Sequence, residues 1–372
     1  MSRVREPPLP TAAGGQISVL SYNLLAPCYV RVHGQPWNAY AHCQDQWLEW
    51  KGRQDKLASE IIALNADVVC LQEVVYEERA VDWRLPKWME PLYAAGYVGV
   101  TQKSALKDWD RQAERNKRVL GKRLATGLAI LYREQRFQLD DEITGNRSLS
   151  IFLSETNAED PQTYAVMTCH LEGNQEYTEK QRMQFLSLVK KVPPSFRGHV
   201  IVCGDFNNEC LPGSSLMECI ETQKFVKLQE VPTGPSWAEP GSALRLDHVL
   251  HSDRLEPCAV YDKMHDEVLQ TGLPNATCPS DHLPVGAVFS IKKRARSPDL
   301  LADLSDEVKA SLTQKLEDFT AQAPAPKKPL TAEDKLELQA HSARKRQWVE
   351  GLPPAHRAFV KSIEKGNRKG TK

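Results

Sequence analysis

Residues 201–209, IVCGDFNNE, form an apolar run that stops at a glycine and then presents an acid, an aromatic ring and two amides. In an extended chain, side chains two apart share a face, so Asp205 and Asn207 project together from the strand end. Gly204 permits the close approach of a second group or an unusual backbone angle. Gly, Asp and Asn are also common turn formers, so this stretch alone fits a plain turn as well as a site.

Other apolar runs along the chain end in the same manner. SYNLLA (21–26) closes on Asn23, CLQEV (70–74) carries Glu73, and TCHLEG (168–173) carries His170; LDHVL (246–250) carries Asp247, and PSDHLP (279–284) carries Asp281 and His282. If every polar residue closes a strand of one core, all of them converge on one rim. Such a rim offers oxygen ligands to a hard cation and histidines to handle protons, with no thiolate; Mg2+ or Mn2+ fits that set and zinc does not. Singly, Asn23 fits a turn cap, Glu73 a surface charge and His170 a hydrogen-bonded core histidine. The order of the set carries the reading.

Strand-like runs recur at 17–23, 67–74, 126–133, 148–153, 164–171, 199–206, 245–252 and 284–291. Between them, RQDKLASEIIALN places Leu57, Ile61 and Leu64 on one helical face, and TEKQRMQFLSLVKKV opens with a capping-box pattern, Thr178 to Gln181. Interspersed strands and helices predict a layered α/β domain with two sheets face to face and helices outside. The 372 residues suffice for a substantial core, and 48 basic residues balance 48 acidic ones, so any basic surface is local. Nine scattered cysteines without a C-x-x-C pair read as reduced, mostly buried thiols. The opening MSRVREPPLPTAAGG lacks an apolar stretch for a signal peptide or membrane span, which leads us to expect a soluble protein of the cytoplasm or nucleus.

Composition changes after Ile291. KKRARSP is a basic break, DLLADLSDEVKASLTQKLEDFT has an amphipathic helical pattern, and AQAPAPKKP reads as a linker. From Ala323 onward, 12 basic residues oppose 5 acidic ones. The expected division is a catalytic domain over 16–292 and a charged, partly helical extension without a core over 293–372, whose basic tail is available for protein or nucleic-acid contacts.

The ordered blocks resemble the endonuclease, exonuclease and phosphatase superfamily over about residues 16–292, and within it the carbon-catabolite-repressor type, which holds deadenylases, nocturnin and Angel-like proteins. WLEWKGRQDKLASEIIALNADVVCLQEV is similar to that type in its Trp-to-Arg spacing and following helix, as are AAGYVGV, TGLAILYREQRFQL and PSDHLP. After the first histidine the chain departs from the poly(A) enzymes, at Glu172 and Gly173. The resemblance implies a deoxyribonuclease I-like four-layer α/β sandwich, two central mixed β-sheets flanked by helices, with the site along one edge. It implies Glu73 as main metal ligand assisted by Asn23, Asp205 as ligand to a second metal or partner in activating water, and Asp281 as a further metal contact. Asn207 would orient the phosphate and His170 donate to it. His282 would activate water or stabilise the transition state, with Asp247 fixing its tautomer.

Substrate contacts are expected from Asn174 and Arg182 in the segment after His170, and from Trp237 in TGPSWAEPG, which either stacks on a base or covers the core edge. Residues 101–123 hold 8 basic against 3 acidic residues. Read as a loop over the cleft, this segment would attract a polyanion through Arg111, Arg115, Lys117 and Arg118. The leading expectation is a Mg-dependent 3′-exoribonuclease acting on single-stranded RNA. The alternatives are a phosphatase or phosphodiesterase of a small phosphorylated metabolite (nucleotide, inositol phosphate or sphingomyelin) and a binding module with an inert site.

Overall fold

Alternation along the strands builds the layers. In the computed structural model, Ile17 and Val19 point into one apolar cluster while Leu20 and Tyr22, on the opposite face of the same strand, point into another. A strand buried on both faces needs a layer on each side. The structure describes residues 15–32, 35–36, 40–79, 82–103, 106–156, 158, 160–173, 177–261, 266–292, 304–322, 332–353, 356–357, 359–360 and 363. The opening segment, Asn174 and most of the proline-alanine linker lie outside them.

The strands in chain order are β1 (Gln16–Asn23), β2 (Arg31–Val32), β3 (Gln35–Pro36), β4 (Val68–Glu78), β5 (Trp83–Arg84), β6 (Tyr97–Thr101), β7 (Ala125–Arg133), β8 (Phe137–Gly145) and β9 (Ser148–Glu155). They continue with β10 (Thr163–His170), β11 (His199–Asp205), β12 (Leu228–Glu230), β13 (Trp237–Glu239), β14 (Ser242–Leu244), β15 (Asp247–Ser252), β16 (Leu255–Tyr261) and β17 (Val285–Ile291). One sheet runs β16-β17-β1-β4-β7-β6, with β5 attached to β4; the other runs β12-β15-β11-β10-β9-β8. Both are mixed: β1 and β4 are parallel, as are β10 and β11, and their other neighbours are antiparallel.

The sheets pack face to face over a cluster that includes Val19, Cys70 and Ile130 from one and Ile151, Val166 and Ile201 from the other. On the outer face of the first sheet, Leu57, Ile61 and Leu64 of the helix Trp50–Leu64 meet Leu20, Val69 and Leu71. Phe185 and Leu188 of the helix Thr178–Val189 cover Ala165, Met167 and Val202 on the second. Helix, sheet, sheet and helix form the four layers expected. All nine cysteines are free. No helix among the described residues is long and apolar enough to cross a membrane.

Three local expectations need correction. Thr178 is not a cap: the helix starts after Tyr177 with no side-chain cap, and Gln181 turns fully inward to donate to the carbonyl of Glu172 at 2.8 Å. Residues 106–120 are a helix rather than a loop, because Trp109, Ala113 and Asn116 recur at helical spacing on its buried face. The chain divides into two units, Met1–Lys292 and Lys293–Lys372, and the second has a small core of its own. Leu312 and Leu316, one turn apart on the helix Asp306–Ala321, cluster with Val349 of the helix Ala332–Gly351 and with Val360.

Candidate active site

Gly204 answers the question raised by its position. Its φ is +150°, and a Cβ there would lie 2.1 Å from the carbonyl oxygen of Cys169, so only glycine lets β11 run this close to β10. The register that follows sets His170 opposite Asp205 and, across the next strand, Asp205 opposite Asp247. On the other sheet Asn23 ends β1 beside Gln72. Here the β4 ladder shifts register between Leu71 and Val74, and Glu73 adopts φ +56°. A bulged, left-handed residue in the middle of β4 re-aims its side chain, in this case toward the opposite sheet.

Asn23 joins the two sheets. Its Nδ2 donates to Glu73 Oε1 at 3.0 Å and to Asp205 Oδ2 at 2.9 Å, while its Oδ1 accepts from the amide of Leu25. The other Glu73 oxygen accepts from the amide of Ala26 at 2.7 Å. His170 Nε2 lies 3.5 Å from Asp205 Oδ2, and His282 Nε2 lies 3.8 Å from the same oxygen. His282 Nδ1 meets Asp247 Oδ2 at 2.6 Å. The Asn207 amide N–H donates back to Asp205 Oδ1, and its Nδ2 donates to the carbonyl of Leu171. Asn23, Glu73, His170, Asp205, Asn207, Asp247 and His282 are thus gathered, and Asp281 lies in the same loop as His282.

The electrostatics follow from burial. Desolvation, and next the charge of Asp281, push the Glu73 carboxyl up to about 7 against the hydrogen bonds from Asn23 and Ala26. Desolvation also raises Asp247 and lowers His170. Burial works against a charged His282, but the fields of Asp247, Asp281 and Asp205 outweigh it and hold the imidazole well above its ordinary value. Glu73, Asp205, Asp247 and Asp281 are each at most 9% exposed, and Asp247 Oδ1 is buried with no hydrogen-bond partner. Ligand atoms of Asp205, Asp247 and His282 lie within 4.8 Å of one another. So much buried negative charge on hard oxygens calls for a counter-charge, and a divalent cation fits the donors present.

Residues without a motif of their own hold this arrangement. Arg53, 1% exposed, donates to the carbonyls of Leu24, Leu25 and Pro279, fastening the loop after Asn23 to the loop before Asp281. The Tyr40 hydroxyl donates to Asp281 Oδ2 at 2.7 Å. Ser280 Oγ donates to the carbonyl of Asn23, and Ser236 Oγ accepts from the amide of Asp247. Arg53 shows in the sequence through the Trp-to-Arg spacing, and Ser236 and Ser280 lie within TGPSWAEPG and PSDHLP without a signal of their own.

A cleft of about 220 Å³ opens beside Glu73 and His170, with Tyr29, Arg115, Asn146 and Arg147 in its walls. Arg147 also donates to the carbonyls of His170 and Leu171. An adjoining cleft of about 320 Å³ is lined by Arg111 and again by Arg115. Lys117 and Arg118, exposed on the same helix, line neither cleft. Arg182 pairs with Glu179 and interacts with Cys219, and it also lines neither. Trp237 is partly buried, and its backbone bridges that of His282.

The profile of the Endonuclease/Exonuclease/phosphatase family matches residues 20–282. The chain is similar to protein angel of Drosophila melanogaster, with 23% identity over 309 residues that cover 73% of this chain and 80% of that protein. It is similar to the CCR4-Not complex 3′-5′-exoribonuclease subunit Ccr4 of Schizosaccharomyces pombe, with 20% identity over 369 residues, 77% of this chain and about half, 51%, of the relative. Among solved structures it resembles ANGEL2, a 2′,3′-cyclic phosphatase crystallised with adenosine-2′,3′-vanadate, at a TM-score of 0.57 and 19% identity over 75% of this chain and 97% of that one. With a fold of the deoxyribonuclease I type and a family match over most of its length, the chain belongs to the endonuclease/exonuclease/phosphatase family and is a hydrolase of phosphodiester bonds.

Proposed function

We propose that the chain is a 3′-exoribonuclease acting on single-stranded RNA with Mg2+ or Mn2+, and that residues 16–292 are its catalytic domain. The observation that carries this reading is the buried Asn23 amide that ties Asp205 to Glu73, which itself lines a cleft together with His170, Arg115 and Arg147. The named activity of the relative Ccr4 supports the choice of RNA.

Cleaving a phosphodiester brings an anion to an anion, so charge must be neutralised and water positioned. Glu73, Asn23, Asp205 and Asp281 would hold the cation, which when bound supplies Lewis-acid stabilisation and a more acidic water. His170, kept neutral by burial, donates one hydrogen bond to a phosphate oxygen. The remaining Nδ2 hydrogen of Asn207 orients a second. Asp247 fixes the His282 tautomer, so that Nε2 faces the scissile group. Arg115 and Arg147 bind flanking phosphates.

A second reading is a phosphatase of a small phosphate ester, such as a nucleoside 2′,3′-cyclic phosphate. The cleft at Glu73 favours it, because about 220 Å³ lies below the roughly 300 Å³ at which typical ligand pockets begin. A 5′-labelled single-stranded RNA incubated with Mg2+ is expected to shorten stepwise from its 3′ end, and EDTA to stop the reaction. Intact RNA alongside rapid hydrolysis of cyclic nucleotides would establish the second reading instead.

Two further outcomes follow. Neutralising Arg111 and Arg115 together should raise KM for RNA several-fold at unchanged kcat, whereas Lys117→Ala should leave both alone, since only the first pair lines the clefts. Equal effects of the two changes would remove the cleft assignment. Truncation after Lys292 should leave cooperative unfolding and the rate on short substrates unchanged, while binding of long RNA weakens as the basic tail is lost. Loss of folding in the truncated protein would refute the boundary.

A further inference from the structure

Two tryptophans lie beyond the catalytic cleft, in a groove that the chemistry described above leaves unused. The cleft at Glu73 and its 320 Å³ neighbour share Gln102, Arg115 and Asn146 as walls. That neighbour in turn shares Gln102 and Trp109 with a third cleft of about 500 Å³. The third cleft is lined by Trp83, Tyr93 and Trp109, with Arg84 and Lys103 at its sides. A small phosphate ester needs only the first of these spaces. A polynucleotide chain needs all three.

The chemistry changes along the track. Near Glu73 the walls are polar and cationic; at the far end they are aromatic. Trp109 is 7% exposed and held edge-on by Tyr76 at 4.8 Å, so it forms a fixed floor. Trp83 lies 6.4 Å from it at 33° on the two-residue strand β5, and is only partly buried. Tyr93 is 38% exposed. Trp83 packs in part against the core cluster on the outer face of the first sheet, yet with Tyr93 it also lines the open groove. The cations nearby are themselves exposed and pair with half-buried acids, Arg84 with Asp82 and Lys103 with Glu142. Surface pairs of this kind are weak and exchange readily for phosphate. Partly open aromatic rings beside exchangeable cations are the recognition chemistry of single-stranded nucleic acid: bases stack and phosphates pair, without sequence readout.

We propose that the groove at Trp83, Tyr93 and Trp109 is a stacking subsite for the bases of a single strand, upstream of the nucleotide whose phosphodiester lies at Glu73. The proposal rests on the RNA reading and specifies where the strand runs. Affinity should therefore grow with length until the groove is filled, and base identity should matter little.

The test compares wild type, Trp83→Ala and Trp83→Phe on RNA from two to eight nucleotides and on a nucleoside 2′,3′-cyclic phosphate. Quenching of tryptophan fluorescence by the same oligonucleotides, with Ca2+ in place of Mg2+, supplies a binding readout independent of turnover. Trp83→Ala should raise KM and the oligonucleotide dissociation constant about tenfold for the longer strands, as loss of one base-aromatic stack requires, at unchanged kcat. KM for the dinucleotide should not move, and Trp83→Phe should restore most of the affinity for long strands. Should Trp83→Ala bind and cleave long RNA like wild type, or lose dinucleotide and long strand alike, the subsite is refuted while the RNA reading stands. Should wild type neither bind nor cleave RNA yet hydrolyse the cyclic phosphate, the RNA reading falls and the subsite with it.

Discussion

Glu73→Gln should lower kcat by about a thousandfold or more, because the carboxylate proposed to hold the cation governs several kcal/mol of transition-state stabilisation and each ~1.4 kcal/mol is one decade. The same change should remove a pH dependence from the stability of the metal-free protein. In the folded state Glu73 titrates at about 7, above its ordinary 4.5, because it is buried beside Asp281. A group raised in this direction favours folding fully below pH 4.5, and that contribution is lost as pH climbs through 7. The loss is on the order of 3 kcal/mol at ~1.4 kcal/mol per unit. Glutamine keeps the shape and has no proton to lose, although its amide nitrogen must face one of the two donors that the carboxylate accepts from. In EDTA the variant's melting temperature should stay level between pH 5 and about 8 while that of wild type falls. Added Mg2+ should raise the wild-type melting temperature and leave the variant's almost unchanged. A variant that keeps near wild-type turnover, or that responds equally to Mg2+, removes Glu73 from the proposed cation site.

The contrast between activity and stability reflects how the site is built. Buried carboxylates supplied by two sheets repel one another, and the scaffold that holds them together is visible in the Arg53 contacts to three carbonyls and in the Tyr40 hydroxyl on Asp281. Local order at the site therefore depends on residues that touch no substrate.

That division also explains what could be read from the sequence. Asp205 and Asp247 stand out because central strands bury both faces, so a polar residue at the end of an apolar run is conspicuous. Asn207 reaches the site by a different route from the expected extended alternation, through a turn after β11 with φ +50° and its backbone N–H on Asp205 Oδ1. The fold followed from the same runs. Glu73 was recoverable as a residue but not as a geometry: LQEV reads as plain strand, and the bulge with φ +56° carries no glycine to announce it. The strand Phe137–Gly145 gives no apolar run because FQLDDEITG is a sheet edge with a polar face, and Leu255–Tyr261 lies at the edge of the other sheet. The helix Leu106–Leu120 reads as a charged loop in the sequence because its buried stripe is narrow and its other positions are mostly charged or polar. Arg53 and Arg147 bind backbone carbonyls, which any stretch of sequence provides, so spacing gives no signal for their partners.

Asp247→Asn tests the electrostatic half of the proposal. Asp247 Oδ2 sits 2.6 Å from His282 Nδ1, and this contact both fixes which ring nitrogen faces Asp205 and supplies much of the field that keeps His282 well above its ordinary value. Asparagine is isosteric. It can still meet the ring, but through the wrong tautomer or without the charge, so kcat is expected to fall by about 10²- to 10⁴-fold, the range associated with a positioned acid or base. KM should change little, because Asp247 is fully buried and does not line the cleft. With Asp247 neutral, the imidazole loses its nearest negative partner and its titration moves down toward the usual histidine range. If the charged imidazole is the active form, the alkaline limb of the kcat/KM profile shifts to lower pH by the same amount; if the neutral form is active, the acid limb shifts instead. Either shift supports the Asp247–His282 pair as one catalytic unit and identifies the protonation state that works. An unshifted profile, or a kcat within tenfold of wild type, would show that Asp247 only completes the packing behind His282.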